Sequence, residues 1–427
     1  MSAQPRSSRT TPGSAGRDGI ALIIVLWTLL GLTAIAVAYA FGQAAYYREV
    51  EGRRATAQAR LAAETLLDVV ENVLAAAEPS ARAAPPDLFR DAIAVGDSTV
   101  WLIGRSGDGA LAAAPTFGWT DEAAKLSLNA PAEGLWAGLP GMNAELAAAI
   151  AAWRRPAADG AAAAGKGAPF ETVEELLLVP GFDAELLFGA DRNRNGVADA
   201  AETAAAVGAP FGLSDYLTTR AAEPAASGDD GTALVNVNGP RPPLQAYLAG
   251  ILGDARGRDL AERIAAGGRN YRSVLEAAKR AGFTRDEFAR TAAGLTHDNA
   301  PLRVGVVNAN TAPAAVLACV PGIGADTAAR LTAQRASAAA PEPTLAWALD
   351  LLDEAACAAA GPWLTAQTHQ VSADAAAVGP DGRGYARIRV VFDFFDGTPR
   401  RVYRRELSHL GGAMGAAARH AALGESR

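Results

Sequence analysis

Between Asp18 and Arg48 the chain carries no charged residue, and this run constrains everything after it. Its core, Ile20 to Phe41, is about 22 predominantly apolar residues, enough to cross a hydrocarbon layer as one helix, which needs roughly 20. In front stands a polar leader, Met1 to Gly19, with Arg6, Arg9 and Arg17. Those charges are expected to keep the N-terminus in the cytoplasm and to place everything after Tyr47 outside.

Three kinds of segment share this description. Ala38-Tyr39-Ala40 resembles the A-x-A site of a cleavable secretory signal, but the apolar run exceeds the roughly 7–15 residues of a signal core. A plain signal anchor is the second kind. The third is a prepilin-type leader, cut after a glycine, here Gly19, so that the apolar helix stays attached. The residues that follow favour the third. From Gln43 to Ala77 the helical pattern continues, with Ala55, Ala59, Leu61, Ala62, Leu66, Leu67, Val70, Val73 and Leu74 at roughly three- and four-residue spacing. No proline interrupts between Pro12 and Pro79, so one helix is expected to run on past the span.

The 427 residues suffice for two or three domains. The formal charge is −7, and the leader's three Arg and one Asp balance to +2, so a chain cut after Gly19 carries −9. Such a balance argues against nucleic acid as the main partner, because phosphate binding needs excess Lys and Arg. Two cysteines, Cys319 and Cys357, are too few for a disulfide scaffold; one bridge and two buried thiols remain equal alternatives.

Periodicity divides the rest. Asp97 to Gly104 reads as a strand, followed by shorter ones near Leu111 to Phe117 and Lys125 to Leu128. From Pro131 to about Leu364 the pattern is helical, broken by glycine and proline. Thr368 to Val378 alternates as a half-buried strand should, and Tyr385 to Phe395 and Arg401 to Leu407 complete a meander. The expected class is α+β: a long N-terminal helix packed on a small antiparallel sheet, with a large helical domain inserted between strands. The segments are leader 1–19, transmembrane helix 20–41, its outer continuation 42–80, first strands 95–129, inserted domain 130–365, C-terminal strands 366–410 and a flexible tail 411–427.

Two short units recur inside the helical block. One ends in Asn with a proline nearby: Leu126 to Pro131, Val235 to Pro240 and Val307 to Pro313. Its Asn is expected to cap the next helix. The other is an apolar-Pro-Gly-apolar hairpin at Leu139 to Met142, Val179 to Phe182 and Val320 to Ile323, a helix-hairpin-helix joint. Such a hairpin also serves DNA backbones through its glycine amides. However, Asp326 follows the best copy, and basic residues are sparse around the other two.

Asp191 to Glu202 satisfies the full D-x-[DN]-x-[DN]-G-x5-E pattern of a calcium loop. Asp191, Asn193 and Asn195 supply side-chain oxygens, Gly196 the sharp turn and Val197 its carbonyl. Asp199 acts directly or through water, and Glu202 closes the shell. Arg192 and Arg194 are expected to point away. Two Asn in place of acids suit a weak, structural Ca2+ site. Nothing reads as a catalytic centre: His297, His369, His409 and His420 are scattered, and no enzyme activity is expected.

Taken together, these pieces resemble the minor pseudopilin K family of type II secretion systems (general secretion pathway protein K). The resemblance runs through the leader and anchor, Asp121 to Asn129, Pro169 to Gly181, the metal loop, Val307 to Ala314 and Tyr403 to Leu410. It implies a pilin-like fold with a helix-hairpin-helix or SAM-like insert. It also implies inner-membrane anchoring with a periplasmic body, and a non-enzymatic role at the pseudopilus tip with minor pseudopilins I and J. A prepilin peptidase would cut between Gly19 and Ile20, and Ile20 would be N-methylated. Member K lacks the usual acid at the fifth mature position, here Ile24. Trp153-Arg154-Arg155 departs from the family, which carries an acidic dipeptide there, so the resemblance supplies no further ligand at that point. The alternative, from another class, is a membrane-anchored helix-hairpin-helix DNA-binding protein of a competence-like uptake system.

Overall fold

The computed structural model describes residues 15–77, 82–83, 85–89, 91–105, 116–131, 134–156, 165–197, 202, 212–228, 231–337 and 341–414. Two units separate, residues 1–55 and 56–427. In the first, helix α1 (Ala15–Ala76) begins, and every side chain from Ile20 to Phe41 is exposed. By length and composition this helix qualifies to cross a membrane. Two hydroxyls in its apolar segment bond back to the helix itself. The Thr28 hydroxyl donates to the Val25 carbonyl at 2.9 Å and Thr33 to Leu29 at 2.7 Å, as an apolar surrounding requires.

In the second unit, the last turns of α1 bury one stripe: Ala59, Ala62, Ala63, Leu66, Leu67, Val70 and Leu74. That is the i, i+3, i+4 spacing of a helix laid on a surface; Leu61, expected in the stripe, falls off this spacing and is exposed. The surface is an antiparallel sheet. Strands β1 (Ile93–Val95), β2 (Ser98–Ile103) and β3 (Thr120–Asp121) enter it before the helical block.

The block itself is three variations on one plan. β4 (Leu126–Ser127) pairs in parallel with β5 (Leu217–Thr218), closing a first unit around the helices Ala144–Arg154 and Ala184–Phe188. β6 (Ala222–Pro224) leads on to β7 (Val235–Asn236), which pairs in parallel with β8 (Leu295–Thr296) around four helices from Arg241 to Thr291. β9 (Leu302–Val304) pairs back with β6, and β10 (Val307–Asn308) pairs in parallel with β11 (Leu364–Thr365) to close the third. One apolar core fills all three, from Leu126 and Trp136 through Leu248 and Phe288 to Trp347 and Leu364.

The chain then returns to the sheet as β12 (Gln370–Val378), β13 (Tyr385–Asp393) and β14 (Arg400–Glu406). The order is β1-β2-β12-β13-β14, with β3 pairing β12 beside β2. Both sets of strands therefore share one sheet. Val371, Ala373, Ala375 and Ala377 of β12 and Ile388, Val390 and Phe392 of β13 face α1.

Three expectations need correction, and a fourth falls mostly outside the described residues. The strand near Lys125 to Leu128 lies outside the sheet, as β4 in the first unit. β12 is buried along its whole length rather than half-buried, because its second face is covered as well, partly by Trp101, Ile103 and Ala413. Ala413 is buried, so the loose tail does not begin at Gly411; residues 415–427 lie outside the described residues. Of the strand near Leu111 to Phe117, residues 111–115 lie outside the described residues, and Phe117 makes a single bridge to Ile103.

The recurring Asn also has another role than helix capping. Asn129 Nδ2 donates to the Phe170 and Thr219 carbonyls, and Asn238 to those of Tyr271 and His297. Asn310 does the same to Glu342 and Ala366. Each amide thus clamps two chain segments where the parallel strand pair ends. Asn143, Asp183, Ser273, Thr284 and Asp353 do the capping instead.

Candidate metal centre

The loop beginning at Asp191 follows the short helix Ala184–Phe188 and folds around its own first carboxylate. Asp191 Oδ1 accepts the Asn195 N–H at 3.0 Å, and Oδ2 accepts that of Gly196 at 2.8 Å. Asn193 Oδ1 accepts the Asn195 N–H at 2.9 Å, and Asn195 Oδ1 accepts that of Val197 at 2.8 Å. Glu202 Oε1 reaches back to the Asn193 N–H at 3.2 Å. The structure thus brings together Asp191, Asn193, Asn195 and Glu202, with Val197 in the same turn; Asp199 lies outside the described residues. Gly196 has φ +76° at the turn, which glycine adopts freely.

This is no solvated turn. Asp191, Asn195 and Glu202 are buried, and the loop rests on the sheet. Arg387 of β13 donates from Nη1 to the Asn193 carbonyl at 2.5 Å and from Nη2 to the Arg194 carbonyl at 2.6 Å. The same guanidinium grips Asp374 of β12 at 2.9 and 2.7 Å, and Arg389 adds a third bond to that carboxylate. Burial opposes ionisation of Asp374, but Arg387 and Arg389 outweigh it and hold the carboxyl at about 2. Asn195 Nδ2 donates to the Ala413 carbonyl at 2.9 Å.

Arg105, just after β2, bridges Asp191 and Asp215 at 2.7 Å each. Asp215 is raised by burial, which Arg105 only partly offsets. Arg194 does not point away, in contrast to the expectation from alternation. Its guanidinium stacks 4.0 Å above the Phe188 ring and pairs with Glu174 at 2.7 Å. The loop is pressed against the protein on that side, so an outward side chain has nowhere else to go.

The donors are oxygens only, which suits a hard cation such as Ca2+. Among the described residues, no three His, Cys, Asp or Glu side chains gather as a metal cluster. The loop offers two described carboxylates and two amides, one carboxylate shared with Arg105. That set fits a weak site.

The other singled-out positions lie outside this loop. Gly19 and Ile20 lie within α1, with Ile20 exposed. The Pro-Gly turns place Gly141, Gly181 and Gly322 at φ +81°, +91° and +81°. A Cβ on Gly141 would meet Leu186, on Gly181 Leu146, and on Gly322 Ala359. The first two hairpins therefore pack on each other's helices. Arg154 donates to the Asn129 and Ala130 carbonyls and lies over Trp136. Cys319 and Cys357 are both free thiols, pushed up to about 11 by burial.

Sequence reasoning missed Arg105, Asp374 and Arg387. The available signal was a charge in the middle of an apolar strand: Asp374 stands opposite Arg389 in the β12–β13 register, and such cross-strand pairs stabilise a sheet. It missed the closing strands too, although Leu217-Thr218, Leu295-Thr296 and Leu364-Thr365 repeat a Leu-Thr pair. No family model, curated protein or solved structure matches this chain.

Proposed function

We propose that this chain is a minor pseudopilin of a type II secretion system, a non-enzymatic subunit at the tip of the periplasmic pseudopilus. There it would help start assembly for the export of folded proteins across the outer membrane. The observation that supports the reading is architectural. Strands from both sides of a large helical insert form one antiparallel sheet, and the sheet packs on the later turns of a helix whose earlier part, Ile20 to Phe41, is uncharged, apolar and exposed. In a pilin-like subunit such a segment is the inner-membrane anchor, with the leader cytoplasmic and the body periplasmic.

The site chemistry belongs to the same proposal. Ca2+ would be held by Asp191, Asn193, Asn195, the Val197 carbonyl, Asp199 and Glu202, and would supply charge that draws these oxygens together. Ile24 stands where pilin-like subunits carry Glu. Without that carboxylate there is no partner for a neighbouring subunit's N-terminal amine, which suits the end of a fibre better than its shaft.

Co-expression with minor pseudopilins I and J of the same system tests the reading. The three are expected to co-purify from detergent as one complex. An I–J complex that forms without this chain would contradict it, and retention of duplex DNA at low salt would favour the DNA-uptake alternative.

A further inference from the structure

We infer that Arg387 is a positioning residue for the cation loop, holding the loop peptide in its binding shape and tying its occupancy to the sheet. The inference rests on reading the loop as a Ca2+ site. Arg387 is completely buried, with 0% of its surface exposed, in a strand that contributes no ligand. Four hydrogen bonds fix its guanidinium: two to Asp374 and one each to the Asn193 and Arg194 carbonyls. Asp374 is shared with Arg389, so the cluster keeps a net positive charge that opposes a cation, and what Arg387 adds to binding is the shape it imposes on the loop.

The shape at issue is strained. Arg194 lies between the ligand positions Asn193 and Asn195 and has φ +57°, a left-handed conformation that side chains other than Gly, Asn and Asp rarely adopt. Such a residue persists where its surroundings over-determine it. Here the restraint comes from both sides. The side chain is held by Phe188 and Glu174, and the carbonyls of 193 and 194 are held by Arg387. Gly196 needs no such help. Fixing the two peptides aims the amides of Asn193 and Asn195 before a cation arrives, which lowers the ordering cost of binding.

Reciprocity follows. If the Arg387 bonds favour the cation-ready loop, cation binding strengthens those bonds, and the β12–β13 pair should register occupancy. A lysine at 387 keeps the charge but cannot reach Asp374 and two carbonyls at once with planar geometry.

The test uses the full-length chain in detergent, with calcium itself as probe. Calorimetric titration of wild type and Arg387→Lys is expected to show about tenfold weaker binding in the variant, and a smaller calcium-induced rise in melting temperature. A purely structural role would instead lower the melting temperature equally in calcium and in EDTA, with Kd unchanged. Hydrogen exchange on the wild type serves if the variant does not fold. Calcium is expected to protect residues 193–197 and, with them, 370–378 and 385–393. Protection confined to the loop, or an unchanged Kd, overturns the inference and leaves the cation site standing. No uptake by wild type at millimolar calcium overturns both.

Discussion

Where α1 meets the sheet, alanine does much of the packing. Ala59, Ala62 and Ala63 on the helix face Ala373, Ala375, Ala377 and Ala386 on the strands, with Leu66, Leu67 and Phe392 filling between. The helix and the strands there pair their backbone groups largely within their own ladders, so small side chains suffice. The insert is the opposite case. Its elements are short, its core uses Trp136, Phe288 and Trp347, and its strand pairs are two residues long. Short elements leave peptide groups without partners, and buried ones must be satisfied. Asn129, Asn238 and Asn310 supply those bonds, helped by Thr218, Thr296 and Thr365, which accept the N–H two residues on. Regular elements can be held by surface alone, whereas a fold of turns must carry its hydrogen bonds in side chains.

That contrast can be broken most forcefully in the alanine-lined core. Leu66→Ala is expected to cost about 2–5 kcal/mol in urea unfolding, as a large-to-small change in a filled core does. A loss under about 1 kcal/mol would mean that the helix is not clamped to the sheet as described.

The junction between the regions gives the next effect. Asp121 ends β3 and accepts hydrogen bonds from the Ala123 N–H, Asn308 Nδ2, Thr311 and Thr368. Burial still raises its carboxyl to about 6. Between about pH 4 and 6 the folded chain thus holds a proton that the unfolded chain has released, so this group's contribution to stability falls as pH rises. The full swing is about 3 kcal/mol at most. Melting curves at pH 4 and pH 7 should therefore move in favour of Asp121→Asn over wild type. A constant difference would show that Asp121 is not the titrating group.

Within the insert, Asn238→Ala should cost about 1–3 kcal/mol through the carbonyls it abandons, and Asn129→Ala and Asn310→Ala should cost similar amounts. Urea midpoints check this, and one silent position would break the threefold equivalence. The smallest effect belongs to the rim of the helix–sheet contact. Arg404 pairs with Glu64 at 2.6 Å, partly exposed, and Arg404→Ala is expected to change stability by no more than about 1 kcal/mol in the same assay.

The two regions also differ in how far the sequence shows them. The α1 stripe and the strands at 98–103, 370–378, 385–393 and 400–406 were legible from pattern, although β12 is buried on both faces, and the shared sheet followed from them. The insert was legible only as glycine, proline and Asn recurring. A two-residue strand has no period to read, and the partner of Asn129 lies 90 residues away at Thr219. The loop from Asp191 was legible because its motif residues are local. Its seat was not, because Arg387 is 193 residues from the Arg194 carbonyl that it holds.

The mature N-terminus, measured by mass spectrometry on protein from the native membrane, tests the central claim most directly. A chain beginning at N-methylated Ile20 is the predicted result. An intact leader, or a start near Phe41, would contradict it.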